Sequence, residues 1–140
     1  MLPFNTMRYA TDVFYFTEPT PTTALLRALV ALDLSNCSGI KSISISGIEP
    51  YGTSRRFMFV INNTAYKIVN GALSAYSGTL TIDNVLADGN TAADLTALDE
   101  SSLTTMFLNK AIYPVIALRA PASALAPPSV KFAFNVLTIA

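Results

Sequence analysis

The fold class this sequence predicts is mainly β: an antiparallel β-sandwich, jelly-roll-like in its strand pattern, with one or two short helices and an extended N-terminal arm. Three observations carry that prediction. Apolar and polar residues alternate with a period of two in several short runs. Clusters of Pro, Gly and Asn that turn the chain separate those runs. Strand-like runs also outnumber helical ones, at a spacing too short for alternating βα units. A chain of 140 residues is long enough to bury about two thirds of its unfolded surface in one core. The organisation expected is an arm over residues 1–20 and a single sandwich domain over 21–140.

The elements follow in order. From Met7 to Thr17, the residues Met7, Tyr9, Val13 and Tyr15 interleave with Phe14 and Phe16, an aromatic run suited to a strand. The Thr-Glu-Pro-Thr-Pro-Thr-Thr that follows interrupts it, because each proline lacks an amide donor and forces its predecessor into extended geometry. Between 22 and 33, Thr22 or Thr23 offers an N-cap, and Leu25, Leu26, Leu29, Val30 and Leu32 lie near helical spacing, so a short helix is expected, with a buried strand as the alternative. Ile40 to Ile48 reads as a strand with one wet face, since Ser42, Ser44 and Ser46 alternate with Ile43 and Ile45. After Pro50-Tyr51-Gly52, the run Arg55–Ile61 sets Phe57, Phe59 and Ile61 on one side and Arg56, Met58 and Val60 on the other. Both sides are largely apolar, which places this strand centrally between layers.

Asn62-Asn63 can adopt positive φ at little cost and is expected to turn the chain into a returning strand over Ala65–Val69, with Asn70-Gly71 as the next turn. Thr79–Leu86 reads as a further strand that slips one step at Asn84. A turn through Asp88-Gly89-Asn90 then leads to Thr91, which with Asp94 completes a capping box and starts a short helix with Leu95 and Leu98 inward. Ile112–Leu118 and Val130–Ile139 are the last strands, separated by a proline-rich stretch that cannot pair in a sheet.

Composition removes whole classes of chemistry. The chain has no histidine and a single cysteine, Cys37, so histidine-based triads, the usual zinc sites and internal disulfides are excluded. No cofactor is expected. Nine basic and nine acidic residues cancel, leaving no excess to draw nucleic acid or an anionic membrane. Arg55 and Arg56 point to opposite faces of a strand and form no patch. The N-terminus lacks a signal-peptide layout, and no apolar run approaches the ~18 residues of a membrane helix; synthesis in the cytoplasm without membrane insertion is expected. Hydrophobic residues make up 51% against 13% charged, with a mean hydropathy of +0.44. So few charges leave much of the exterior apolar, which points to burial against other chains; the alternative is a compact monomer with a Ser/Thr-rich surface.

Candidate sites are few. Asp83, Asp88 and Asn90 offer oxygen ligands to a calcium ion, but their spacing fits no calcium loop, and a turn is the simpler reading. Asp94, Asp99 and Glu100, placed together on or at the end of one helix, could divide general acid and base roles, as in a glycosidase; solvated surface acids are the plainer reading. Tyr51, Tyr66 and Tyr76, with Tyr113, could stack on sugar rings, against the reading that they pack at strand ends with wet hydroxyls. Cys37 lies in a loop with nothing nearby to lower its pKa, and is expected as a half-buried thiol.

Taken together, IKSISISGIEPYGTSRRFMFVINNTAYKIVNG, TIDNVLADGNTAADLTAL and YPVIALRAPASALAPPSVKFAF resemble a β-sandwich domain of bacteriophage and prophage tail and fibre proteins, over roughly residues 32–140. The resemblance implies a virion component present in several copies, made in the host cytoplasm, contacting copies of itself or other virion proteins and performing no turnover. Where such relatives carry tryptophan, this chain has Phe59 and Tyr66, so a host surface glycan is only the alternative partner. The arm lies outside the resemblance. Its Phe4, Tyr9, Phe14 and Phe16 are the candidate subunit interface, because an extended arm can add a strand to a neighbour's sheet.

Overall fold

The computed structural model describes residues 14–16, 24–28, 31–46, 55–119 and 130–139. Within them the strands are β1 (Phe14–Phe16), β2 (Ala24–Ala28), β3 (Leu32–Asp33), β4 (Gly39–Ser46), β5 (Arg55–Ile61), β6 (Thr64–Val69), β7 (Ala72–Ala75), β8 (Ala111–Arg119) and β9 (Val130–Ile139). The helices are α1 (Ile82–Asp88), α2 (Ala92–Thr96) and α3 (Glu100–Phe107). The strands form a smaller sheet, β1-β9-β4, and a larger one, β2-β8-β5-β6-β7, with β3 alongside β2 on the same flank of β8. Every pairing is antiparallel, and the protein is a mainly β, sandwich-like fold as its alternation predicts.

The two sheets meet through phenylalanines. Phe134 of β9 stands edge-on to Phe57 of β5, with centroids 5.6 Å apart, and Phe59 lies edge-on to Phe107 of α3 at 5.2 Å. All four rings are fully buried, and each such pair adds about 0.5–1.5 kcal/mol beyond the area it buries. On the smaller sheet, Ile40 and Ile43 both reach this core although three positions separate them. A register shift between Ile40 and Ser42 makes that possible, since the extra residue returns the alternation to the same face. The opposite face of the larger sheet is covered in part by α1, whose Val85 packs on Met58 and Ala117. Strand β5 is thus buried on both faces over Phe57–Phe59 and half-buried at Arg56 and Val60, the central place its doubly apolar pattern predicts.

Three expectations are corrected. The helix expected over 22–33 is instead the strand pair β2 and β3, both bonded to β8. β5 occupies the other flank of β8, so a helix at this place would leave a row of buried backbone groups unpaired, and strand geometry wins over a short run's helical spacing. The strand expected over Thr79–Leu86 is largely α1: Thr81 caps it by accepting the Asn84 amide, and Ile82, Val85 and Leu86 follow helical spacing. What reads as a slip at Asn84 is a period of 3.6. The helices also number three among the described residues rather than one or two, because Asp99 caps a separate helix, α3, with Leu103, Met106 and Phe107 buried. The arm expected over 1–20 is described only at Phe14–Phe16, which pairs with Val130–Phe132 of its own chain; the remainder lies outside the described residues.

One side chain positions the helical segment on the sheet. β5 and β6 pair from Phe59–Tyr66 to the hairpin tip, where Asn62 and Asn63 take φ of 49° and 63°. Beyond that stretch Asn90 stands between the strands. Its backbone N–H donates to the Phe57 carbonyl (2.8 Å) and its carbonyl accepts from the Phe57 amide (3.0 Å). Its side chain repeats the pattern toward β6, accepting from the Ile68 amide (2.7 Å) and donating to the Ile68 carbonyl (2.9 Å). The preceding Gly89 has no room for a side chain: a Cβ there would lie 2.5 Å from the Val85 carbonyl oxygen and 2.9 Å from that of Phe57. Replacing Asn90 by alanine leaves the Ile68 amide and carbonyl without partners, at about 1–3 kcal/mol for each buried group. Urea unfolding of Asn90→Ala is expected to show a lower midpoint at an unchanged m-value; an unchanged midpoint contradicts this role.

Candidate functional site

The tyrosines divide between the two faces of the larger sheet. Tyr66 sits opposite Phe59 and Ala75 and packs against the main core. Tyr76 follows β7, its amide bonded to the Ala65 carbonyl at 2.8 Å, and its ring packs on the other face with the cluster around Met58 and Val85. Its hydroxyl donates to the Asp88 carboxylate at 2.8 Å, and that bond holds the phenol's pKa above its ordinary value because the protonated form is the donor. Tyr66 and Tyr76 therefore do not share a platform for one sugar ring. Tyr51, Phe4 and Tyr9 lie outside the described residues. Phe14 and Phe16 are in β1, where the backbone register pairs them with Phe132 and Val130.

Of the candidate acids, Asp94 and Asp99 are brought together, though not on one helix, while Glu100, in the first turn of α3, lines a separate groove with Ser38, Gly39 and Ile139. Asp94 belongs to α2 and Asp99 caps α3, and both line a shallow groove of about 320 Å³ between the α2–α3 junction and the Asn70-Gly71 turn. Each carboxylate is already engaged. Asp94 accepts from the Thr91 amide at 2.8 Å and from the Asn90 carboxamide at 3.2 Å, the expected capping box. The Thr91 amide foremost, aided by Asn90, the Thr91 hydroxyl and the Arg56 charge, holds its pKa below the usual carboxylate value against a smaller desolvation effect. Asp99 accepts from the Ser102 amide at 2.8 Å and is lowered by the same contact. A glycosidase pair needs one carboxyl raised to act as an acid. Here both are pushed the other way by their capping contacts.

The calcium candidates point to separate partners. Asp83 pairs with Arg119 at 2.8 Å on the exposed surface, Asp88 accepts from Tyr76, and the Asn90 carboxamide is occupied by Ile68. Among the described residues no three His, Cys, Asp or Glu side chains gather. Cys37 is half-buried, its thiol 3.5 Å from the Leu34 carbonyl.

Sequence reasoning passed over two features. One is Asn90 as a ladder substitute, signalled only by the Asp-Gly-Asn turn. The other is an apolar row on the outer face of the larger sheet, where Tyr113 of β8 pairs with Val60 of β5 and Val60 with Ala65 of β6. Tyr113 is 46% exposed, and Val69, further along β6, is 41% exposed. This row lies two residues beyond Met58, the position α1 covers. No helix of the described residues is long and apolar enough to cross a membrane.

No family model matches the chain, and no curated protein or solved structure matches it significantly. The groove carboxylates yield a prediction in pH. A carboxylate whose folded pKa is depressed stabilises the fold above its unfolded pKa, and that contribution is lost as pH falls through the folded value. Acid titration followed by circular dichroism is expected to show stability declining once pH drops below the ordinary aspartate range. In Asp94→Asn/Asp99→Asn this acid limb flattens; a variant with the same limb as the parent contradicts the assignment.

Proposed function

We propose that the chain is a non-enzymatic structural subunit of a phage tail, baseplate or fibre, assembling with copies of itself or with other virion proteins. The virion setting rests on the resemblance of residues 32–140 to tail and fibre sandwich domains. The assembly rests on surface chemistry, and the observation that carries it is the apolar row Tyr113–Val60–Ala65, in which Tyr113 is exposed and Val60 and Ala65 are half-buried. It occurs in a chain with only 13% charged residues, on a face where a covering chain removes tyrosine and aliphatic surface from water. A second contact is the aromatic segment ahead of β1, which carries Phe4 and Tyr9 and can extend a neighbour's sheet by main-chain bonding. The chemistry of the groove supports the non-enzymatic part, since its two acids serve as helix caps and are both held ionised.

Size-exclusion chromatography with light scattering tests the reading. The full chain is expected to run as an oligomer at micromolar concentration. Removing residues 1–13, which leaves β1 in place, is expected to weaken it. Tyr113→Lys is expected to shift the equilibrium toward monomer while changing folding stability by no more than about 0.5 kcal/mol, as for other exposed positions. A monodisperse monomer throughout, indifferent to both changes, overturns the proposal.

A further inference from the structure

We propose that Asn70 is a spontaneous deamidation site built into the tip of the β6–β7 hairpin. Asn70-Gly71 is the only Asn-Gly pair in the sequence. Glycine carries no Cβ to shield its amide nitrogen from the neighbouring side chain. The two residues form the turn at φ of 52° and 76°, and Asn70 is exposed. Among the described residues, neither the Asn70 carboxamide nor the Gly71 N–H has a hydrogen-bond partner.

The reaction needs only water. The Gly71 nitrogen, deprotonated by hydroxide, attacks Cγ of Asn70; the N–Cγ bond forms as the carboxamide nitrogen leaves as ammonia, closing a succinimide. Water then adds at one of the two ring carbonyls and breaks its bond to the ring nitrogen, leaving aspartate or isoaspartate at position 70. Asparagine and water have become an acid and ammonia, with no change of oxidation state. For nitrogen to reach Cγ, the chain must rotate about ψ of Asn70, and the hairpin is placed to allow it. β7 is the edge strand of its sheet, and most of its residues are exposed, so opening the tip disturbs few buried contacts.

A comparison within the molecule sharpens the assignment. Asp88-Gly89 could close the same ring, but the Gly89 N–H donates to the Val85 carbonyl at 2.8 Å and Gly89 is buried against Phe57. That nitrogen is held away from the reaction; Gly71's is not. Conversion also has an electrostatic consequence, because Asn70 lines the same groove as Asp94 and Asp99. The product adds a third carboxylate to the lining of a groove that already holds two, and like charges sharing a site disfavour one another's ionised form. None of this chemistry depends on the assembly proposed above.

The test holds the full-length folded chain at mildly alkaline pH and physiological temperature for weeks, followed by digestion and mass spectrometry. The peptide spanning β6 and β7 is expected to gain the mass difference between NH and O before any other asparagine-containing peptide, faster as pH rises, with isoaspartate and aspartate both at position 70. The altered chain is expected to co-elute with Asn70→Asp on anion exchange, and Asn70→Gly, which keeps the positive-φ turn, abolishes the gain. The proposal is overturned if position 70 stays intact in the folded chain while the urea-unfolded chain converts. It is equally overturned if the gain maps to Asn62 or Asn63, or persists in Asn70→Gly.

Discussion

A single buried carboxamide, that of Asn90, occupies the place where β5 and β6 cease to pair, and the arrangement of the helical half of the molecule depends on it. Two strands that diverge inside a fold expose amides and carbonyls that water cannot reach, and such groups are costly unless something bonds them. Asn90 answers on both sides, with its backbone toward Phe57 and its side chain toward Ile68. It sits between α1 and α2, so the same contacts fix where α1 ends and α2 begins. Asn90 also donates to Asp94, the capping carboxylate of α2, so the ladder substitute and the helix cap are one connected network. Gly89 belongs to this constraint because the approach to Phe57 leaves its Cα no substituent.

From that anchor the layers follow. The smaller sheet, the larger sheet and α1 stack in that order, with β5 in the middle contributing phenylalanines to one side and Met58 to the other. α3 flanks the smaller sheet at β4, where the Thr104 hydroxyl accepts from the Ile40 amide at 3.0 Å. A helix laid against the start of a border strand satisfies part of its outward backbone and blocks unwanted pairing there. β7 is a border strand of another kind, short and lacking charge in its own residues, and its exposure makes its hairpin the part of the larger sheet most open to local change.

Among the described residues, several polar side chains serve structural contacts. Asp94 and Asp99 cap helices, Asp88 receives Tyr76, Arg56 donates to the Gly89 carbonyl at 3.1 Å and Lys67 to that of Asp88 at 3.2 Å. Groups held in this way are poor material for turnover, since each would leave a backbone or side-chain partner unsatisfied on moving. Among the described residues, the exposed large apolar side chains are Val69 and Tyr113, both on the outer face of the larger sheet, and the assembly proposed above rests on that face.

Local signals in the chain were sufficient for much of this. Alternation from Ile43 onward marked β4, an apolar run beyond the proline-rich stretch marked β9, double apolarity placed β5 between layers, paired asparagines at positive φ made the first hairpin, and Thr91 with Asp94 announced α2, because each depends on neighbours a few residues away. The same locality hid the remainder. Leu25 to Leu32 read as a helix before a strand until β8 required a partner, Asn84 looked like a strand irregularity until Val85 met Met58, and Asp94 and Asp99 looked like one helix's acids until α3 separated them. Nothing within a few residues of Asn90 revealed that it would bond Phe57 and Ile68, or that Tyr66 and Tyr76 would end on opposite faces. Those outcomes were decided by the tertiary structure, because they follow from which strand runs beside which, and long-range pairing answers to the backbone groups left over after local preferences are met.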